Sequence, residues 1–424
     1  MRKRAKRDAS RITPLLLIAW AIPALAAAQA TGPTPIDDVR ENNRLHFGPL
    51  YAQPTLQLKE FGVDNNVFNT YGEQLSDFTL TFAPKMDWSV PVAKRALFQA
   101  TTAADLVWYA QYASERSVDP QLDVRGKLFF HRLTLFAERD YLNTRQRPNQ
   151  EIDIRARHVD EAFRGGVDMS VTPELSVRLT GQHSSTRYDA TTEYDNTSLQ
   201  RTLNRDTDGV EVKSLYRLSA LTSIAARFDD LQDRFPMSPA RNSDSFRVMP
   251  GIEFKPRALI SGTAYVGYRQ FTPLDSKVLP DFKGLVAQLG LSYTLLGATT
   301  FGVSYNRDLT YSYDELQPFF IDNSAGASVR RALGRRFDAL VSVDRHAYEY
   351  QDLVNPTAQA ASGPLDLATP RVDTTWNYAG SIGYRVGRDG RIGAGVSYWT
   401  RESTTRTFRA YDNLRIGTTM TFGF

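Results

Sequence analysis

The last eleven residues of the chain alternate without a break. Leu414, Ile416, Thr418, Met420, Phe422 and Phe424 fall on one side of an extended backbone, and Arg415, Gly417, Thr419, Thr421 and Gly423 on the other. Successive side chains of a strand point to opposite faces, so this is one greasy row backed by one polar row. The same period of two recurs upstream. Phe98, Ala100, Thr102, Ala104, Leu106 and Trp108 make one apolar row; Leu175, Val177 and Leu179 another; Leu285 to Leu295 and Ile392 to Tyr398 two more. No helical period of 3.6 competes over a comparable length.

Between the strands the connections are of two kinds. Tight ones stand near Phe130-His131-Arg132, Val171 to Glu174, Lys255-Pro256-Arg257, Leu296-Gly297-Ala298, Ala332-Leu333-Gly334 and Gly387 to Gly390. Long polar ones run from Asp140 to Asp153, Ser184 to Asp208, Leu231 to Ser245 and Asp352 to Asp373. Short turns on one rim and long loops on the other are the asymmetry of a transmembrane barrel. A sandwich would hide the apolar rows in a dry core and leave the charges of the opposite face no water. The pattern therefore predicts an all-β fold: a transmembrane antiparallel up-and-down β-barrel of about 18 strands, with 16 as the nearest alternative. Trp88, Trp108, Tyr109, Tyr112, Tyr311, Tyr313, Tyr348, Tyr350, Tyr398 and Trp399 sit near strand ends, where an interfacial girdle is expected.

The N-terminus supplies an address. Arg2, Lys3, Arg4, Lys6, Arg7 and Arg11 precede an apolar stretch from Leu15 to Ala28, with small residues at Ala26-Ala27-Ala28 and Ala28-Gln29-Ala30. That is the layout of a cleaved secretory signal. Pro14 and Pro23 interrupt the stretch, which is too short to span a bilayer as a helix. The expected division is a signal peptide over residues 1–30, a periplasmic tail or plug over 31–48 and the barrel over 49–424. Of 51 basic and 47 acidic residues, six basic ones and Asp8 lie in the signal, so the remainder is nearly neutral and gives no reason to expect a nucleic-acid partner. There is no cysteine, hence no disulfide framework and no thiolate metal site. No metal or cofactor is expected. The address this implies is the outer membrane of a Gram-negative bacterium, with membrane lipid and the barrel-assembly machinery as partners; Phe422 and Phe424 resemble the terminal signal that machinery reads.

Outward rows fix the inward ones. The expected pore-lining cations are Arg125, Lys127, Arg164, Arg178, Lys213, Arg217, Arg227, Arg269, Arg385, Arg401 and Arg415, joined by Lys255 and Arg330 and by the acids Asp168, Glu211, Glu253, Asp338 and Asp344. Cations outnumber acids in this set. Two readings stand: a lumen that favours anions, or opposite charges that pair across strands to hold the wall. A catalytic role is not expected. Adjacent residues of a strand point apart, so His183-Ser184-Ser185 is no nucleophile and base, and no hydrolase or phosphate-binding motif stands out.

Phe61-Gly62-Val63-Asp64-Asn65-Asn66-Val67-Phe68, at the top of the first strand, resembles the opening motif of the Putative β-barrel porin-2 group, which includes the exopolysaccharide-operon barrels of EpsL type. The general layout extends the likeness over nearly all of the chain after the signal. The resemblance implies a conduit for a secreted polysaccharide, working with periplasmic export proteins, with Tyr109, Phe129 and Tyr265 as faces for sugar rings. It implies no catalytic residues. The alternatives are a general or anion-leaning diffusion porin, and a surface adhesin or receptor.

Overall fold

The computed structural model describes Val39, residues 45–354 except 94 and 257, and residues 370–423 except 388. The expected signal segment over residues 1–30 and Phe424 therefore lie outside the described residues, as do most of 31–48. Eighteen strands follow one another: β1 (Leu50–Asp64), β2 (Asp77–Val92), β3 (Ala96–Tyr109), β4 (Ser117–Phe129), β5 (Leu133–Gln146), β6 (Ala156–Ser170), β7 (Leu175–Tyr188), β8 (Arg205–Arg217) and β9 (Thr222–Arg234). The second half holds β10 (Ser243–Phe254), β11 (Ile260–Pro273), β12 (Phe282–Leu295), β13 (Thr299–Tyr311), β14 (Phe319–Leu333), β15 (Phe337–Gln351), β16 (Val372–Val386), β17 (Gly390–Ser403) and β18 (Tyr411–Gly423). Each pairs antiparallel with its neighbours in sequence, and β18 pairs with β1. The sheet is closed. Of the two expected strand numbers, 18 is the one found.

Register shows which face is which. Directly opposed residues run Val167, Leu179, Val212, Phe228, Val248, Tyr268 and Leu285 across seven strands, all apolar, with Leu285 67% exposed. The other face carries charges that bond over intervening strands, such as Lys59 of β1 to Asp105 of β3 (3.0 Å) and Arg269 of β11 to Asp308 of β13 (2.6 Å). Only a concave face brings non-neighbouring strands that close, so the polar face is the lumen.

The turns on one rim are short, and two of them escaped the sequence reading: the connection after Val92 and Leu218 to Leu221. The expected aromatic girdle needs correction. Trp88, Trp108 and Tyr398 face outward, with Trp108 and Tyr398 exposed, but Tyr109, Tyr311, Tyr348 and Tyr350 are buried on the inside and Tyr313 is buried in a loop. Their job is packing, because the upper strand ends carry loops that fold inward.

The Asp-Asn-Asn-Val-Phe motif does local work at the seam. Asn413 of β18 donates through Nδ2 to Asp64 Oδ1 (2.8 Å) and to the Asn66 carbonyl (2.6 Å), while Asn66 Nδ2 donates to the Asp412 carbonyl (2.9 Å). The Leu414 amide donates to Asn65 Oδ1 (2.6 Å). Below it, β1 bulges between Leu58 and Phe61, with Glu60 at φ +52°. Gly62 sits where any Cβ would lie 2.0 Å from the Ile416 carbonyl oxygen, so only glycine lets the first and last strands close up.

Val396→Arg, on the lipid face of β17, is expected to destabilise the folded barrel by about 2–4 kcal/mol. Ser342→Arg, on the lumen face of β15, should cost under about 1 kcal/mol, because that face is wet. Urea unfolding from phospholipid vesicles measures both. Equal costs would overturn the assignment of inside and outside.

Candidate functional site: the lumen and its loop closure

Strand parity places all eleven expected pore-lining cations on the inward face, but it surrounds most of them with acids. Arg178 bonds Asp168 (Nη2 to Oδ2, 2.8 Å), Arg164 bonds Asp140 (2.5 Å), Lys213 pairs with Glu253 (2.5 Å) and Arg415 with Asp64 (2.8 Å). Asp229 takes both Arg227 (3.0 Å) and Arg247 (2.8 Å), and Asp308 takes Arg269 and Arg247. Arg385 stands 3.8 Å from Asp338, at the periplasmic rim, and Arg217 donates to the Pro173 carbonyl (2.6 Å). Arg125 and Lys127 have no carboxylate within 4.0 Å among the described residues. The sequence set had omitted Asp64, Asp105, Glu138, Asp140, Asp229 and Asp308, so its basic excess does not survive. The wall is close to charge balance, and charges hold one another in place.

The two halves of the wall differ. On β4 to β10 the inward residues are long and charged. On β11 to β14 they are small: Ser261, Gly290, Ser292, Gly302, Ser304, Gly326 and Ser328 line one side of a cavity of about 780 Å³ whose other side is Lys127, Asp168, Arg178, Lys213 and Glu253. The cavity occupies the periplasmic half of the lumen, since its lining lies near the short turns. Of the residues ahead of the barrel, Val39 is described; it is buried against inward-facing Leu97, with Tyr51 and Phe129 beside it.

Toward the outside the loops interlock across the bore. Glu151 and Ile152, in the loop after β5, are fully buried. Ser312, from the loop after β13, donates to Glu151 Oε1 (2.5 Å). Arg401 of β17, 1% exposed, reaches Asp153 Oδ2 (2.7 Å), the Glu151 carbonyl (3.1 Å) and Asp373 Oδ2 (2.7 Å). Arg409 bonds Asp195 (2.5 Å), Arg406 bonds Asp314 (2.5 Å), and Arg241 donates to the carbonyls of Thr202 (2.8 Å), Ser312 (2.8 Å) and Asp314 (2.5 Å). Strands β5 and β13 lie on opposite sides of the ring, so the Glu151–Ser312 bond crosses the lumen. Sequence reasoning missed this lattice, because loop residues have no period that tells where they point.

An apolar cluster braces the lattice. Pairing of β12 with β13 stops at Ala287–Arg307, and above that level Leu309, Tyr311, Phe319 and Ile321 pack with Phe235, Phe271, Leu279 and Leu353. Tyr311 donates to Asp233 Oδ2 (2.9 Å) of β9, which ties the tip of β13 across the mouth. Burying a side chain of the size of Phe235 or Phe271 contributes about 1.5–3 kcal/mol.

Burial pushes the Glu151 carboxyl above its ordinary range, against the Ser312 hydrogen bond and the Arg371 charge, which pull it down. Burial likewise lowers the Arg241 guanidinium to about 10. Because the closed mouth binds the Glu151 proton more tightly than an open, hydrated one, this group favours closure at low pH, and its contribution is lost as pH rises through the raised value.

His183 Nδ1 lies 2.8 Å from Asp208 Oδ1, but both face outward, away from the lumen, and no group of three His, Cys, Asp or Glu able to hold a metal occurs among the described residues.

Arg401→Ala would leave Asp153 without its cation while Asp373 keeps Arg371, at a cost to the closed mouth of up to about 3 kcal/mol. The expected result is a larger single-channel conductance in planar bilayers and faster proteolysis within residues 147–155, with the heat-dependent gel shift of the barrel retained. Glu151→Gln should keep the Ser312 bond and flatten any conductance difference between about pH 5 and about pH 7. Unchanged conductance in both variants would show that the lattice does not close the bore.

Comparison with known proteins agrees with this geometry. The family model described as Putative beta-barrel porin 2 matches residues 45–424. No curated protein matches the sequence. Among solved structures, a BenF-like porin from Pseudomonas fluorescens Pf-5 is similar at 11% identity, over 89% of this chain and 99% of that one, with a TM-score of 0.51. OccK2 (OpdF) of Pseudomonas aeruginosa is similar at 11% identity over 88% and 97%, with a TM-score of 0.48.

Proposed function

Since the chain belongs to the β-barrel porin 2 family, whose fold is that of an outer-membrane barrel, we propose that it is a diffusion channel for small polar solutes, narrow at the outer mouth and charge-balanced within. The observation that carries this reading is the lumen wall itself: paired charges on β4 to β10 facing a wall of serine and glycine across a cavity of about 780 Å³. Fixed, opposed dipoles solvate polar molecules of either sign without trapping one sign, which suits passage better than tight binding. The more similar of the two solved structures is itself a porin.

This reading takes the general-porin alternative and leaves the polymer conduit without support. Contacts such as Glu151–Ser312 and Arg401–Asp153 cross the bore that a chain of sugars would thread. Two of the faces expected to stack on sugar rings are occupied: Arg155 lies 5.1 Å over the Tyr109 ring and Arg227 5.6 Å from that of Tyr265. Phe129 packs beside Val39. The anion-leaning variant loses its basis with the acids found opposite the arginines. In this reading the chain is exported through a cleaved signal over residues 1–30 and inserted by the assembly machinery through its last strand.

The test is a salt gradient across a planar bilayer containing the full-length mature protein. A reversal potential close to zero is expected, because neither sign is enriched along the wall. A reversal potential near the ideal value for chloride or for potassium would overturn the charge-balanced channel, and absence of any conductance, in the native chain and in Arg401→Ala alike, would overturn the channel.

A further inference from the structure

The lipid-facing wall is lopsided. On β3 its apolar row runs from Phe98 through Leu106 to Trp108, and on β12 from Leu295 to Leu285. On β5 to β9 it breaks off sooner. Outward positions there turn to Arg139, Glu161, His183, Asp208 and Asp230 while the neighbouring strands are still greasy. With a rise of about 3.3 Å per residue and a tilt of about 40°, Arg139 stands roughly 15 Å above the periplasmic turns and His183 roughly 20 Å, within an apolar band about 25 Å tall. The described residues leave them uncovered. Arg139 and Glu161 pair at 3.4 Å with side chains 59% and 45% exposed, and His183 and Asp208 at 2.8 Å with 55% and 50%. Hydrocarbon solvates such groups poorly, and there is no water at that depth.

Just below the charges, Gly165 and Gly181 face each other across the β6–β7 ladder, between exposed Phe163 and Leu179. An added Cβ at Gly181 would meet only the Gly165 carbonyl oxygen, at 3.9 Å, and at Gly165 nothing closer than the Phe136 carbonyl oxygen at 3.7 Å. Neighbouring Gly166 is different, since a Cβ there would lie 2.1 Å from the Leu179 carbonyl. Packing within the chain thus accounts for Gly166 and not for the outward pair, which leaves a flush strip where another backbone can come close.

We infer that the outer face of β5 to β9 is the contact between copies of this chain in the membrane. The patch holds both signs in balance, Arg139, Arg157 and Arg187 against Glu161, Asp206 and Asp208. A like patch brought against it can exchange ion pairs and shield both sets from lipid, which is the self-complementarity a symmetric assembly needs. A uniformly anionic lipid headgroup satisfies only half of these groups. The inference is independent of what passes through the lumen.

The chain contains no cysteine, so a single introduced one reports cleanly. Phe163→Cys, oxidised in native outer membranes, is expected to give a disulfide-linked band at twice the chain mass. Ile382→Cys, on the far wall at β16, should not. Gly181→Leu fits the isolated barrel without strain and should convert the assembly to monomer in mild detergent, leaving the heat-dependent gel shift and the conductance unchanged. Equal crosslinking from both cysteines, a monomeric native chain, or a Gly181→Leu variant that still assembles would each overturn the proposal. A monomer that carries lipopolysaccharide lost on Arg139→Ala would overturn it too, in favour of a lipid headgroup as the occupant.

Discussion

Hydrocarbon offers a backbone amide nothing to bond to, so a strand in a bilayer cannot have a free edge. Every other feature of this chain follows from meeting that condition. Seventeen of the junctions in the ring are between neighbours in sequence, joined by a turn or loop that helps fix the register. The eighteenth joins the two ends of the barrel and has no such help. It is also a short ladder, with eight register pairs between β1 and β18 among the described residues against fifteen between β14 and β15, and a bulge interrupts it. The cluster of Asp64, Asn65, Asn66 and Asn413 sits on this interrupted line and adds side-chain bonds to its backbone bonds. That gives the family-like motif a physical role: it is a clasp.

Closing the ring creates a second problem inside it. Eighteen strands enclose more volume than their side chains fill, so the inward face is wet and must be built from groups that tolerate water. Charges satisfy this, provided they are held. An exposed ion pair contributes little by itself, but Asp229 and Asp308 each receive two arginines, of which Arg247 and Arg269 are buried and Arg227 partly so. The result is a braced wall over β9 to β13. It lies beneath the part of the mouth where β12 and β13 part company, which is where the barrel loses ladder bonds and needs another tie.

Much of this was legible in the sequence. Period-two rows, the short turns and the terminal strand gave the fold class and the inward face of residues such as Arg178 and Arg415, because strand geometry converts parity directly into inside and outside. Three things were not. Acids such as Asp140 and Asp308 escaped because charged residues interrupt the outward rows beside them: after Arg139 the pattern reads as a loop from Asp140 to Asp153, although β5 runs on to Gln146, and Arg307 breaks the row beside Asp308. Tyrosines at strand ends read as an interfacial girdle, yet Tyr311 and Tyr348 point inward; proximity to a loop is the same for both, and only the loop's direction separates them. The loop lattice had no signal at all. Glu151, Ser312 and Arg401 are unremarkable in sequence, and their meeting depends on the curvature of the whole ring.

The interior also dictates where a solute can go. Long side chains from β4 to β10, most of them held by a partner of opposite charge, fill their side of the bore, so that side is occupied. Across from it Gly290, Gly302, Gly326 and the serines between them bring the backbone itself to the surface of the cavity. Open space therefore hugs the small-residue wall, off the barrel axis, and a moving molecule sees peptide and hydroxyl groups on one flank and a row of alternating charges on the other. Dipoles fixed along one side orient a polar solute without requiring that it carry a particular charge. Overhead, the residues that close the mouth come from several sides: Glu151 from the charged side, Ser312 from the small-residue side and Arg401 from β17. Opening has to separate the two flanks at that point, and the eccentric path below is the one such a separation would uncover.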